Sequence, residues 1–164
     1  MLLDRDDTLI ADCGGQVKFR IDKVNFKLVE KLLKISKFAN FALITNQAYI
    51  EKQKITHQQL IEFHQSMINS LKKLGLNITV VAYCPHATDN TGRILCHCRK
   101  PKNAMLENVI KIFGIDRVSA FFIGNAETDR VAAESSNIKY FDIHIFNDSI
   151  DVQNLISSSS LKEK

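Results

Sequence analysis

Five short apolar runs, each closed by polar residues or Gly and separated by stretches of helical periodicity, constrain this chain more than any other feature. The runs are Met1 to Leu3, Phe41 to Thr45, Ile78 to Tyr83, Ala120 to Ile123 and Tyr140 to Ile145. Runs this short and this apolar read as strands buried on both faces. Between them, Leu28, Leu32 and Ile35 recur at helical spacing, as do Leu60, His64, Met67 and Leu71. Thr56 with Gln59 forms a capping box ahead of the second set. Asn103 to Phe113 and Asp129 to Ser135 complete the alternation. Strands that alternate with helices predict an α/β fold, a parallel sheet joined by crossover helices. The first run has only three residues before Asp4, shorter than the usual five or six, and a truncated start is expected.

Size and composition fit one domain. The 164 residues are 45% hydrophobic and 24% charged, and two Pro and six Gly leave little room for a flexible linker. Residues 1–156 are predicted to form the domain. The tail 157–164, Ser-Ser-Ser-Ser-Leu-Lys-Glu-Lys in its last eight positions, is expected to be disordered for want of apolar surface. No apolar run approaches the roughly 20 residues of a membrane span. Acids at Asp4, Asp6 and Asp7 occupy the place of a signal peptide's apolar stretch. A cytoplasmic monomer that does not engage a membrane is the expectation. The net charge of +4 is spread over many lysines, a weak bias toward anionic partners. No basic stripe with interleaved aromatics favours a nucleic acid.

In an open parallel sheet the working residues sit past the carboxyl ends of the strands, near the point where strand order reverses. Polar clusters occupy those places: Asp4-Arg5-Asp6-Asp7-Thr8, Thr45-Asn46-Gln47, Cys84-Pro85-His86 and Gly124-Asn125-Ala126-Glu127-Thr128-Asp129. Taken singly they have ordinary explanations: a solvated acidic turn, a helix-entry cap and, for Lys100, a surface lysine. The cysteines are more specific. Cys84-x-His86 and Cys96-x-Cys98 supply four soft ligands, enough for a closed tetrahedral zinc site of the structural kind within a loop 84–98, although buried thiols beside an unrelated histidine also fit. His97, between two ligands, is expected to point away. His57, His64 and His144 show no partners and read as surface or core residues. Cys13 is left over.

Taken together the clusters resemble the haloacid-dehalogenase-like phosphohydrolases, in the branch that contains heptose 1,7-bisphosphate and histidinol-phosphate phosphatases. Asp4-Arg5-Asp6-x-Thr8-Leu9 resembles the first motif, Ile44-Thr45-Asn46-Gln47 the second, Cys98-Arg99-Lys100-Pro101 the third and Ile123-Gly124-x-x-x-Thr128-Asp129 the fourth. The resemblance covers roughly residues 1–145 and implies a Rossmann-like three-layer sandwich with a zinc loop in place of a large cap. It also implies a Mg²⁺-dependent phosphomonoesterase that acts through an aspartyl phosphate. Asp4 is then the nucleophile and Asp6 the acid and base. Thr45, Asn46, Gln47 and Lys100 hold the phosphoryl group, and Arg99 suits a second anionic group of the substrate. Asp4, Asp6 through its carbonyl, Asn125 and Asp129 surround Mg²⁺, while Cys84, His86, Cys96 and Cys98 hold zinc. A phosphorylated sugar such as a heptose bisphosphate is the first expectation for the substrate, and histidinol phosphate is compatible with the same motifs. A phosphate-binding or regulatory protein with weakened turnover and a nucleic-acid 3′-phosphatase are the further alternatives.

Two positions depart from the family pattern. The fourth motif there begins Gly-Asp, but here Asn125 follows Gly124. An amide oxygen brings no charge to a hard cation, so weaker metal binding or loss of turnover is expected. Asp7 replaces a Gly. If that position needs positive φ, Asp tolerates it better than most residues.

Overall fold

The computed structural model describes residues 1–151; the end of the predicted domain (152–156) and the tail 157–164 lie outside them. The strands are β1 (Leu2–Leu3), β2 (Phe41–Asn46), β3 (Ile78–Cys84), β4 (Phe121–Gly124) and β5 (Lys139–Asp142). The helices are α1 (Phe26–Ile35), α2 (His57–Lys73), α3 (Ala104–Phe113), α4 (Glu127–Ser135) and α5 (Ile143–Ser149). All five strands are parallel, in the order β3-β2-β1-β4-β5.

Strand parity explains the two layers that cover the sheet. Successive side chains on a strand face opposite ways, and the apolar runs supply a large residue to both faces. Leu3, Leu43, Ile123 and Phe141 meet Leu28 and Leu32 of α1, Phe63, Met67 and Leu71 of α2, and Phe146 of α5 in one core cluster. Leu2, Ala42, Ile44 and Phe122 meet Leu106 and Val109 of α3 and Ala132 and Ala133 of α4 in the other. The expected three-layer α/β sandwich is therefore present. Among the described residues no inserted domain covers the sheet, and no helix is long and apolar enough to cross a membrane.

Although β1 has only two residues, it lies at the centre of the sheet. Leu2 pairs with Ala42 and Phe122, and Leu3 with Leu43 and Ile123. The amide of Asp4 extends the ladder to the Ile123 carbonyl at 2.8 Å. Strand order reverses at β1, with β2 and β3 on one side and β4 and β5 on the other, so the carboxyl ends of β1, β2 and β4 converge.

Local signals fixed most helix ends. The Thr56–Gln59 capping box is made in both directions, at 3.1 and 2.9 Å, and α3 ends on Gly114 at φ 58°, in the left-handed region glycine favours. Two boundaries differ from the sequence expectation. The run Tyr140 to Ile145 does not remain a strand: it stops at Asp142, whose carboxylate accepts the amide of His144 at 2.8 Å and starts α5. A side-chain cap outweighs β-branched propensity there, and the helix turns Ile143 and Phe146 into the core. Helix α4 starts at Glu127, two residues before the expected Asp129, because Asp129 is its third residue and caps the first turn from within.

Candidate active site

The floor of the site is an ion cluster at the switch point. Asp4, the first residue after β1, Lys100 from the loop before α3, and Asp129 in the first turn of α4 are 6%, 2% and 1% exposed. Lys100 Nζ lies 2.5 Å from Asp4 Oδ1 and 2.6 Å from Asp129 Oδ1, and donates to the Ile44 carbonyl at 2.8 Å. Burial pushes the Asp4 carboxyl up to about 6, against the pull of the Lys100 charge. Burial also works against the Lys100 ammonium, but the two carboxylates outweigh it and hold the amine above its ordinary value. The second oxygen of Asp129 accepts the amides of Asn125 and Ala126, both at 3.2 Å. Asp129 thus anchors Lys100 and the α4 entry with both oxygens. Gly124 has to be glycine for this packing, since a Cβ there would stand 2.4 Å from Asp129 Oδ2.

Asp6 sits beside this floor, and its carboxylate rests on a second cluster. Arg5 reaches it through Nε and Nη2, at 2.9 and 2.8 Å to Oδ1 and 2.9 Å to Oδ2. Gln47 Nε2 donates to Oδ2 at 2.8 Å and to Thr45 Oγ1 at 2.8 Å, while Gln47 Oε1 accepts from Arg5 at 2.9 Å. Gln47, predicted as a phosphate ligand, is therefore buried against Asp6. Asn46, predicted in the same role, is bound at both ends to the backbone of Lys100: Nδ2 donates to its carbonyl at 3.1 Å and Oδ1 accepts its amide at 3.0 Å. It clamps the loop that delivers the lysine.

Above the floor opens a cavity of about 320 Å³ lined by Asp4, Asp6, Thr45, Lys100, Asn125 and Asp129, with Tyr49, Lys52 and Arg99 toward its mouth. The sequence-predicted residues thus converge on one concave site. Arg99 is tethered by Nη1 to the His86 carbonyl at 3.0 Å, and Asn125 Oδ1 accepts from Thr8 at 3.3 Å. Asp7 adopts φ 52°, a positive value that Asp tolerates better than most residues, and accepts the Asp12 amide at 2.9 Å. A larger apolar cleft of about 590 Å³ lies at the amino-terminal edge of the sheet, around Phe38, Phe41, Val109 and Phe113, and contains none of these groups.

The donors around the floor are carboxylate and amide oxygens, the hard set a Mg²⁺ ion takes. Asp4, Asp129 and the uncharged Asn125 oxygen all line the cavity, each with a hydrogen-bond or ion partner as well. One carboxylate completed by substrate phosphate oxygens is a sufficient set for Mg²⁺. The soft ligands gather separately. Cys84 Sγ, His86 Nδ1, Cys96 Sγ and Cys98 Sγ all lie within 4.8 Å of one another. Zn–S bonds of 2.3 Å in a tetrahedron imply sulfur separations of about 3.8 Å. Cys84 to Cys96 is 3.7 Å, Cys84 to His86 3.6 Å and His86 to Cys98 3.2 Å, with Cys84 to Cys98 closer at 2.8 Å. This cluster can hold one metal ion. Burial pushes the Cys84 thiol up. Burial also opposes the Cys96 thiolate, but donation from the Arg99 amide at 3.4 Å and from the neighbouring thiols brings it down to about 7. His97 is exposed and outside the cluster, as expected.

Sequence reasoning missed two residues of this site. Arg5 is 4% exposed and His64, on α2, is 5% exposed, with Arg5 Nη1 3.0 Å from His64 Nε2. An arginine inside an acidic run carries no sequence signal for burial, and His64 sits in its helix as any core-facing residue does.

Comparison with known proteins agrees with this geometry. The family model described as polynucleotide kinase 3 phosphatase matches residues 1–154. The D-glycero-beta-D-manno-heptose-1,7-bisphosphate 7-phosphatase of Pasteurella multocida is 33% identical over 144 residues, covering 85% of this chain and 77% of that protein. The histidine biosynthesis bifunctional protein HisB of Campylobacter jejuni subsp. doylei is 32% identical over 143 residues; the match covers 85% of this chain but 40% of that protein's length. The crystal structure of the D,D-heptose 1,7-bisphosphate phosphatase from B. bronchiseptica, complexed with magnesium and phosphate, superposes with a TM-score of 0.74. It covers 99% of this chain and 88% of that one at 20% identity, a likeness of fold. On the family match across nearly its whole length, joined to the ordered motifs that meet at the switch point, the chain belongs to the polynucleotide kinase 3 phosphatase family of haloacid-dehalogenase-like proteins.

Proposed function

We propose that this chain is a Mg²⁺-dependent phosphomonoesterase acting on a small phosphorylated metabolite, first a sugar bisphosphate of the heptose type, through an aspartyl phosphate. The observation that carries the reading is Asp4 itself: a buried carboxylate at the sheet's switch point, one oxygen held by Lys100, in a cavity that Thr45, Lys52 and Arg99 also line. With Oδ1 held by Lys100, the carboxylate has its other oxygen for attack on phosphorus while the bond to the ester oxygen breaks. Asp6 gives the departing oxygen its proton. In the second half Asp6 takes a proton from water as the water oxygen bonds phosphorus and the bond to Asp4 breaks, releasing phosphate. Lys100 and Thr45 hold the phosphoryl oxygens as charge shifts among them. Asp4, the Asp6 carbonyl and Asn125 would hold a Mg²⁺ ion, which would supply charge neutralisation for the phosphate.

The heptose reading is supported by the Pasteurella relative, most of whose length this chain matches, and by Lys52 and Arg99 in the cavity lining, cations suited to a second anionic group. Histidinol phosphate is the second reading, favoured by the similarity to HisB. Both are tested by phosphate release with Mg²⁺ from a heptose bisphosphate, histidinol phosphate and a 3′-phosphorylated oligonucleotide. Fastest kcat/KM on the heptose ester is expected. Preference for histidinol phosphate or for the oligonucleotide would replace the substrate assignment, and tight phosphate binding without turnover would favour a regulatory protein.

Asn125 sets the expected cation demand. Asn125→Asp adds a charged hard oxygen, so the Mg²⁺ concentration for half-maximal rate should fall roughly tenfold, about 1.4 kcal/mol of added attraction, with turnover rising. A Mg²⁺ titration of both proteins checks this; superimposable curves would remove position 125 from the metal site.

The Cys/His cluster is assigned as a structural zinc site, closed because all four positions are protein ligands. One zinc per chain is expected by elemental analysis. Cys96→Ser should lose it. At free zinc a thousandfold above Kd the ion contributes about 4 kcal/mol of stability, so the melting midpoint should drop by about 8–16 °C. Full zinc content with an unchanged midpoint would show that Cys96 is not a ligand.

A further inference from the structure

We propose that His64 and Arg5 form a positioning relay that fixes the Asp6 carboxylate for the water-activating half of the reaction, an inference that rests on the phosphatase reading above. A guanidinium has only donors, so the 3.0 Å contact between Arg5 Nη1 and His64 Nε2 makes that nitrogen the acceptor and places the imidazole proton on Nδ1. Burial, followed by the nearby Arg5 charge, lowers His64 to about 3, so the ring stays a neutral acceptor. Its place on α2 is fixed by the core around Phe63 and Met67. His64 therefore holds one end of the Arg5 fork in a set direction. The Phe63 ring lies 5.1 Å from Arg5 Cζ and covers the guanidinium.

The other end of the fork meets Asp6. Arg5 Nε and Nη2 and Gln47 Nε2 all donate to that carboxylate, with Thr45 Oγ1 more distant at 3.4 Å. Gln47 is itself set by Arg5 through its Oε1 and by its backbone amide, which donates to the Cys84 carbonyl at 2.7 Å. Every one of these contacts donates a hydrogen bond to Asp6. The cradle thus sets the direction of both Asp6 oxygens. The proton balance is simple: Asp6 gains one proton, water oxygen forms the bond to phosphorus, and the Asp4–phosphorus bond breaks. A misdirected Arg5 weakens both proton transfers of Asp6; with an aryl phosphate, whose leaving group departs without a proton, the loss falls on this later step.

The experiment quenches the full-length protein in acid during steady-state turnover of a radiolabelled aryl phosphate, whose leaving group needs no proton from Asp6, and measures both kcat and the fraction of chains carrying phosphate. General base catalysis is worth about 10²–10⁴-fold, and a loosened base should lose part of it. In His64→Leu, kcat is expected to fall roughly tenfold while the phosphoenzyme fraction rises. In His64→Gln, whose amide oxygen can accept from Arg5, both should return toward the parent. A merely structural effect would slow formation as well, with no rise in phosphoenzyme. Equal phosphoenzyme fractions in parent and folded His64→Leu overturn the relay. If His64→Leu does not fold, Arg5→Lys keeps the charge and removes the fork, and the same accumulation supports the relay while its absence overturns it. Failure of the phosphatase reading would appear instead in the parent, as no phosphoenzyme from any ester, and would remove this inference with it.

Discussion

Asp4→Asn is expected to abolish turnover, by at least about 10³-fold, and to make the protein more stable. The loss follows from the mechanism, since an amide is no nucleophile toward phosphorus. The gain follows from burial. The Asp4 carboxyl holds its proton up to about pH 6 in the folded chain, against an ordinary value of 3.8. Between those two values the folded state binds more protons than the unfolded state, so stability falls as pH rises across that window and the full cost remains above it. Asparagine carries no such cost, and Lys100 keeps Asp129 as its partner. The variant should match the parent near pH 4 and exceed it by on the order of 1–3 kcal/mol at pH 7. Denaturant unfolding of both proteins at pH 4, 5, 6 and 7, in buffer free of divalent cations, measures the gap. A variant less stable than the parent at pH 7 would show that the cluster needs the Asp4 charge.

Lys100→Met should have the opposite effect on stability and the same effect on activity. Lys100 is the one cation set between two buried carboxylates, at 2.5 and 2.6 Å. Methionine fills much of its volume but leaves Asp4 and Asp129 facing each other without compensation. Removing one partner of a buried ion cluster costs about 3–5 kcal/mol, or about 6–20 °C in melting midpoint for a chain of this size. Turnover should be lost because the charge that holds Asp4 and the phosphoryl oxygens is gone. The two substitutions are not additive. Asp4→Asn combined with Lys100→Met removes one of the unpaired charges, and the double variant should be more stable than Lys100→Met alone. A double variant less stable than the single one would refute the electrostatic account of the cluster.

These opposed effects place the working charges at a point where the fold bears their desolvation. Asp129 meets part of that demand: it holds Lys100 with one oxygen and caps the α4 entry with the other. Asn125 lines the same cavity and brings no charge to it, which is why the response to Mg²⁺ is the sensitive measurement proposed for this site.

Apolar runs, helical spacing and local caps were legible because each depends on residues within a few positions of one another. The chain alone determined the parallel α/β sandwich, the Thr56 cap, the convergence of Asp4, Thr45, Lys100 and Asn125 at strand ends, and the Cys84, His86, Cys96 and Cys98 cluster. It failed at Tyr140 to Ile145, where strand propensity competes with an Asp142 cap that the packing of Ile143 and Phe146 into the core reinforces. It gave no sign that Asn46 clamps the Lys100 loop or that Gln47 packs against Asp6, because a side chain that holds a loop and one that binds phosphate look alike in sequence. Tertiary structure decided the pairing of charges: Asp4 with Lys100 across 96 positions, and Arg5 with His64 across 59. Coulomb and hydrogen-bond energies depend on separation in space and on burial, and neither is written in the spacing of residues along a chain.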